Sequence, residues 1–151
     1  MASQLSHTVG HQKQSSGHDQ TRRWGVALWT VLVVDDNAAV RKAVCELFTR
    51  DGDFEVCAEA ENGRDAVEKA ETLEPALVVS DLSMPVMNGL EETRILKKLM
   101  PEVPIIIYSA HIDQFIAKEA VAAGASAVVP KAESATVLLS TARHLLEELA
   151  A

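Results

Sequence analysis

The stretch "VLVVDDN", residues 31–37, decides how the rest of this chain is read. Four apolar residues in an unbroken run fit a strand buried on both faces, as in a parallel sheet covered by helices. Two carboxylates follow at once. Asn37 can then cap a helix whose apolar stripe is Val40, Val44, Leu47 and Phe48, ending near Asp51-Gly52. A buried strand, an acidic turn and an amphipathic helix make one βα unit.

The same unit recurs along the chain. Phe54–Ala60 reads as a strand with Phe54, Val56 and Ala58 inward and Glu55, Cys57 and Glu59 between them. Asn62-Gly63 turns into a helix carrying Ala66, Val67, Ala70 and Leu73. Ala76–Ser80 is a third strand, and Leu90, Thr93, Leu96 and Met100 mark a third helix. Pro104 opens the run Ile105-Ile106-Ile107-Tyr108, a central strand. Residues 112–123 form an Ala-rich helix that Gly124 stops. Ala127–Val129 is the last strand, and Ser134 caps a final helix with Val137, Leu138, Leu145 and Leu149. Five strands and five helices in strict alternation predict an α/β fold: a five-stranded parallel sheet with helices on both faces.

The chain has 151 residues, 48% hydrophobic, which suits one domain with a full core. Its net charge of −8 opposes nucleic-acid binding, because phosphates repel it. The charge is uneven. Residues 1–29 hold three basic side chains and one acidic one, a net +2, which leaves −10 for the remainder. Polar and without apolar period, residues 1–29 read as a disordered tail before a folded domain at 30–151. His7, His11 and His18 in that tail read as solvated side chains rather than a metal tract. The apolar run within "RRWGVALWTVLVV" (22–34) is too short to span a membrane and lacks a cleavage site, so a cytoplasmic protein is expected. Cys45 and Cys57 fall in apolar periodic segments and read as buried free thiols.

In an open parallel sheet, ligands bind beyond the carboxyl ends of the strands. There the first strand offers Asp35 and Asp36, the third Asp81, the fourth Ser109 and the fifth Lys131. Three carboxylates at one edge repel one another unless a hard cation sits among them. Mg²⁺ prefers such oxygen ligands and often completes its shell with a phosphate. A hydroxyl and a lysine opposite the metal suit the oxygens of a transferred phosphoryl group, with Asp81 as nucleophile. Taken singly, each residue has a plainer reading: a helix cap, a strand-end hydroxyl, a surface lysine, a turn at Asn88-Gly89. The specificity lies in their order at matching strand ends.

The segments "VLVVDDN" (31–37), "VVSDLSMPVMNGLE" (78–91), "PIIIYSAH" (104–111) and "GASAVVPK" (124–131) resemble the receiver domain of response regulators in two-component signalling. The resemblance covers about residues 30–149. It implies the flavodoxin-like receiver fold with strand order 2-1-3-4-5. It implies Asp81 as phosphoacceptor and Mg²⁺ held by Asp36 directly, by Asp35 through water, by Asp81, and by the backbone carbonyl of Ser83. It also implies that Ser109, the Ala110 N–H and Lys131 meet the phosphoryl oxygens. The implied donor is a sensor histidine kinase or a phosphotransfer protein.

This sequence departs from the family's pattern in two places. Val128 stands where the family has an aromatic, and Pro130 precedes Lys131 instead of a proline following it. Tyr108, His111 and Phe115 flank Ser109, so a signalling change is expected on or beside the fourth helix. The chain ends at Ala151, soon after the last helix, so a stand-alone, non-enzymatic regulator is expected, acting through a downstream protein partner rather than by binding DNA. A homodimer stays open. The rivals are weaker. A haloacid-dehalogenase-type phosphatase needs a second Asp where Ser83 stands. A nucleotide- or flavin-binding module needs a Gly-rich loop where "DDNAAV" (35–40) stands. A receiver-like interaction module working without phosphorylation is the remaining alternative.

Overall fold

The computed structural model describes residues 22–23 and 26–150; most of the tail expected over 1–29, with its three histidines, lies outside them. Five parallel strands form the sheet: β1 (Trp29–Val34), β2 (Phe54–Ala60), β3 (Leu77–Ser80), β4 (Ile105–Ser109) and β5 (Ala127–Pro130). Their order across the sheet is 2-1-3-4-5. Between and after them run α1 (Ala38–Asp51), α2 (Gly63–Leu73), α3 (Gly89–Leu99), α4 (Gln114–Ala123) and α5 (Ala135–Ala150). A short antiparallel pair, Arg22–Arg23 with Val26–Ala27, precedes β1. No helix among the described residues is long and apolar enough to cross a membrane.

The caps explain where the helices begin and end. The Asn37 side chain accepts from the Val40 N–H, Asn62 from Asp65, and Asn88 from both Leu90 and Glu91. Such caps satisfy amide groups that the first helical turn leaves without partners. Asp113 caps α4, so that helix starts two residues later than its apolar pattern indicates. Gly124 ends it at φ 116°, in the left-handed region where a Cβ is strained.

The sheet separates two cores. On one side Val31, Val33, Leu77, Val79 and Ile106 meet Phe48 of α1 and Leu138 of α5. On the other, Leu32, Val34, Val78 and Ile105 pack with Ala66 and Ala70 of α2 and Leu96 of α3, while Leu82 and Ile107 form a further cluster with Ala120 of α4. Each fully buried Leu, Ile or Phe stabilises by about 2 kcal/mol.

β2 corrects the simple alternation. Val31 pairs with Val56, but Leu32 pairs with Ala58, so Cys57 is an extra, bulged residue. Phe54 and Val56 therefore face the α1–α5 side, whereas Ala58 and Ala60 face α2 and α3. Cys45 and Cys57 are free thiols, as expected, but half-buried rather than buried. Burial pushes both thiols up to about 11. Pro130 falls at the end of β5, an edge strand, where its missing N–H costs little.

Candidate functional site

Adjacent strands end level with one another, which gathers the polar residues that follow them. Val34 pairs with Ser80, and Ser109 with Pro130, so Asp35, Asp81, Ala110 and Lys131 each come next along neighbouring strands. The backbone locks these ends: Asp35 N–H donates to the Ala60 carbonyl at 3.0 Å, Asp81 N–H to Val34 at 2.9 Å, and Lys131 N–H to Ser109 at 2.8 Å.

One oxygen each of Asp35, Asp36 and Asp81 lies within 4.8 Å of the others. Asp35 and Asp81 are buried and Asp36 is exposed. Lys131 Nζ stands 2.8 Å from Asp35 Oδ2 and 3.5 Å from Asp81 Oδ1, so in this state the lysine bridges two carboxylates and sits closer to Asp35. Asp35 also accepts the Asn37 N–H at 2.9 Å, and Asp81 Oδ1 the Leu82 N–H at 2.8 Å. Burial, then the negative charge of Asp35, raises the Asp81 pKa above the usual carboxylate value. Lys131, the Leu82 N–H and the Ser109 hydroxyl oppose that rise. The cluster thus keeps excess negative charge in a confined place.

Ser109 is buried at the end of β4, whereas Ala110 and Ser83 are exposed at the mouth. The loop carrying Ser83 is held from two sides. Gly63 N–H donates to Met87 O at 2.9 Å, and Gly89 N–H to Leu82 O at 2.8 Å. Gly89 lies so close that a Cβ there would stand 2.3 Å from the Asp81 carbonyl oxygen. Val86, in the same loop, takes φ 68° and is exposed, a strained choice for a β-branched residue. Val128 is half-buried against the Leu82–Ile107 cluster.

Two features at the mouth of this site escaped the sequence reading. Arg41 donates to the Asp35 carbonyl at 2.7 Å and pairs with Glu59 at 2.9 Å, tying the end of β1 to β2. Tyr108 does not lie beside α4. It packs on the α1–α5 side, with Lys131 Nζ 5.9 Å from its ring centroid, a reach at which a ring face attracts a cation.

Comparison with known proteins decides the family. The model of the response regulator receiver domain matches residues 31–143. The chain belongs to that family. It is 42% identical over 101 residues to the chemotaxis protein CheY of Thermotoga maritima, covering 67% of this chain and 83% of that protein. It is 43% identical over 103 residues to a protein-glutamate methylesterase/protein-glutamine glutaminase of a Nocardioides species, covering 67% of this chain but only 28% of that enzyme. The response regulator domain of Thermotoga maritima CheB superposes with a TM-score of 0.75 at 30% identity, covering 80% of this chain and 97% of that one. This receiver domain therefore spans most of one relative and about a quarter of another.

Proposed function

We propose that Asp81 is the phosphoacceptor of this receiver domain. A sensor histidine kinase or a phosphotransfer protein would supply the phosphoryl group. One observation carries the reading: the Asp81 carboxylate faces Lys131 at 3.5 Å and shares its pocket with oxygens of Asp35 and Asp36. An Asp81 carboxylate oxygen forms the new bond to phosphorus as the bond to the donor breaks, the leaving group departing with its electron pair. Lys131 turns from Asp35 toward the phosphoryl oxygens, whose charge it matches. The Ser109 hydroxyl and the Ala110 N–H donate to other phosphoryl oxygens.

The residues present fit a hard divalent cation. Asp81, whose proton affinity the Asp35 charge raises, gains from a shared cation, and an all-oxygen set is what Mg²⁺ prefers. Asp35, Asp36, Asp81 and the Ser83 carbonyl would hold it. Mg²⁺ bound there neutralises charge on the transferred group. The output we propose is protein–protein contact with a downstream partner, without enzymatic activity of this domain's own.

Incubation with acetyl phosphate and Mg²⁺ tests the reading. Intact mass should rise by one phosphoryl group, and Asp81→Asn should abolish the gain. An unchanged mass in the native chain would favour the receiver-like module that works without phosphorylation, and full labelling of Asp81→Asn would place the phosphoryl group on another residue.

A further inference from the structure

Beneath the acidic cluster lies another carboxyl group, which the phosphoryl chemistry above does not use. Glu92, in the first turn of α3, has no exposed surface. It meets Ser80, the last residue of β3. Ser80 Oγ stands 2.7 Å from Glu92 Oε1 and 2.8 Å from the carbonyl oxygen of Asp81. A serine hydroxyl has one hydrogen to give. When Glu92 carries a proton, both short contacts are full two-centre hydrogen bonds at once. The acid then donates to Ser80, and Ser80 donates to Asp81.

The surroundings agree with a neutral acid. Burial pushes Glu92 up to about 8, against the opposing effect of the Ser80 hydroxyl. Among the described residues, Glu92 Oε2 has no hydrogen-bond partner. A neutral carbonyl oxygen bears that isolation at far lower cost than a carboxylate oxygen does. On the packed helices, Asp65 and Lys69 of α2 pair at 3.2 Å and Lys97 of α3 donates to the Val103 carbonyl at 3.0 Å, while Arg64, Glu68 and Glu71 of α2 and Glu91, Arg94 and Lys98 of α3 are exposed. On α4 the charged side chains are Lys118 and Glu119; β3 has no ionisable side chain, and the one on β4, Tyr108, packs on the opposite face.

The relay ends on the peptide that holds the acceptor. The Asp81–Leu82 peptide has its carbonyl fixed by Ser80, with Gly89 packed against it, and its N–H donates to Asp81 Oδ1 at 2.8 Å. Turning that peptide would swing the N–H away from the carboxylate.

We propose that neutral Glu92 is a positioning residue for phosphoryl transfer, acting through Ser80 to set the plane of the Asp81–Leu82 peptide. This rests on reading Asp81 as the phosphoacceptor. It adds an internal acid that touches none of the proposed metal ligands directly and reaches the acceptor's backbone only through Ser80.

The test measures phosphorylation by acetyl phosphate at saturating Mg²⁺ across the pH range about 6 to 9, in the whole chain. Wild type, Glu92→Gln and Ser80→Ala are compared, with Asp81→Asn as acceptor control. The wild-type rate should hold to neutrality and fall about fivefold with a midpoint near 8, the worth of one well-made hydrogen bond. Glu92→Gln keeps a donor and cannot ionise, so it should match wild type at neutral pH and stay flat above it. Ser80→Ala should be slower at neutral pH by a similar factor. Carboxyl ¹³C NMR of the wild type should show Glu92 protonated at neutral pH, a readout that needs no variant to fold. A Glu92→Gln profile that follows wild type, a Ser80→Ala rate equal to wild type, or a Glu92 signal already ionised at neutral pH would each overturn the positioning role. Labelling that survives Asp81→Asn would instead overturn the phosphoacceptor reading.

Discussion

Asp81 and Glu92 are both buried acids, joined through a single serine hydroxyl, and the two differ in what surrounds them. Asp81 has an ammonium at 3.5 Å, a backbone N–H at 2.8 Å and an opening toward solvent. Glu92 has the Ser80 hydroxyl, no exposed surface and, among the described residues, one oxygen without a partner. Desolvation raises the proton affinity of both. Near Asp81 it is partly offset by Lys131 and the Leu82 N–H; around Glu92 only the Ser80 hydroxyl opposes it. Burial alone favours the neutral form of a carboxyl group; a cation close by favours its charged form.

The largest test of this contrast is the pH dependence of stability. Glu92 is raised from its ordinary 4.5 to about 8 in the folded protein. Between those values the folded state binds more protons than the unfolded one, so stability should fall as pH rises across the window and level off above it. The slope from this group approaches about 1.4 kcal/mol per pH unit. Urea unfolding from about pH 5 to 9 should show it, and Glu92→Gln should remove most of it. An unchanged slope in Glu92→Gln would break the contrast.

A smaller effect is expected at the charged end. Lys131→Met removes the cation between Asp35 and Asp81 and leaves two buried carboxylates facing each other. The Lys131 side chain is 19% exposed, so the loss at neutral pH should be about 2 kcal/mol, below that for a fully enclosed pair. Mg²⁺ should restore much of it by mass action, about 3 kcal/mol at a hundredfold excess over Kd. Unfolding in EDTA and in Mg²⁺ separates the two terms. Equal losses in both would show that the lysine's role is packing rather than charge.

The smallest effect on stability belongs to Asp36, the exposed member of the trio. Asp36→Ala should change unfolding by less than about 0.5 kcal/mol, yet weaken Mg²⁺ binding more than Asp35→Ala does. Titration calorimetry measures this directly, and equal affinity in wild type and Asp36→Ala would sink its assignment as a ligand.

Much of this was legible in the chain. Unbroken runs such as Val31–Val34 and Ile105–Ile107 announce strands covered on both sides, and Asn37 and Asn62 sit where caps belong. Acids and a lysine directly after those runs point to the candidate site, and the structure brings Asp35, Asp81 and Lys131 together. What stayed hidden depends on pairing that composition does not encode. The bulge at Cys57 exists only relative to β1, so strict alternation along β2 misassigns Ala58. Glu92 reads as one more charge in "LEETR" (90–94), yet it lies on the stripe Gly89, Glu92, Thr93 and Leu96 that α3 buries. That spacing was the available signal, and weighting Leu90 over it concealed the acid. Arg41 reads as an ordinary surface cation until the ends of β1 and β2 are brought together.

The bulge also bears on how the open edges of the sheet are guarded. β2 is an outermost strand seven residues long, and an edge of that length offers a regular row of N–H and C=O groups to any other chain. The extra residue at Cys57 bends the strand and interrupts that row midway. Lys69 caps the Glu59 carbonyl, and Arg41 pins the Glu59 side chain. The opposite edge, β5, is four residues long and ends in a proline with no N–H to lend. Both open edges of the sheet are thus protected against the cross-β stacking of its own copies.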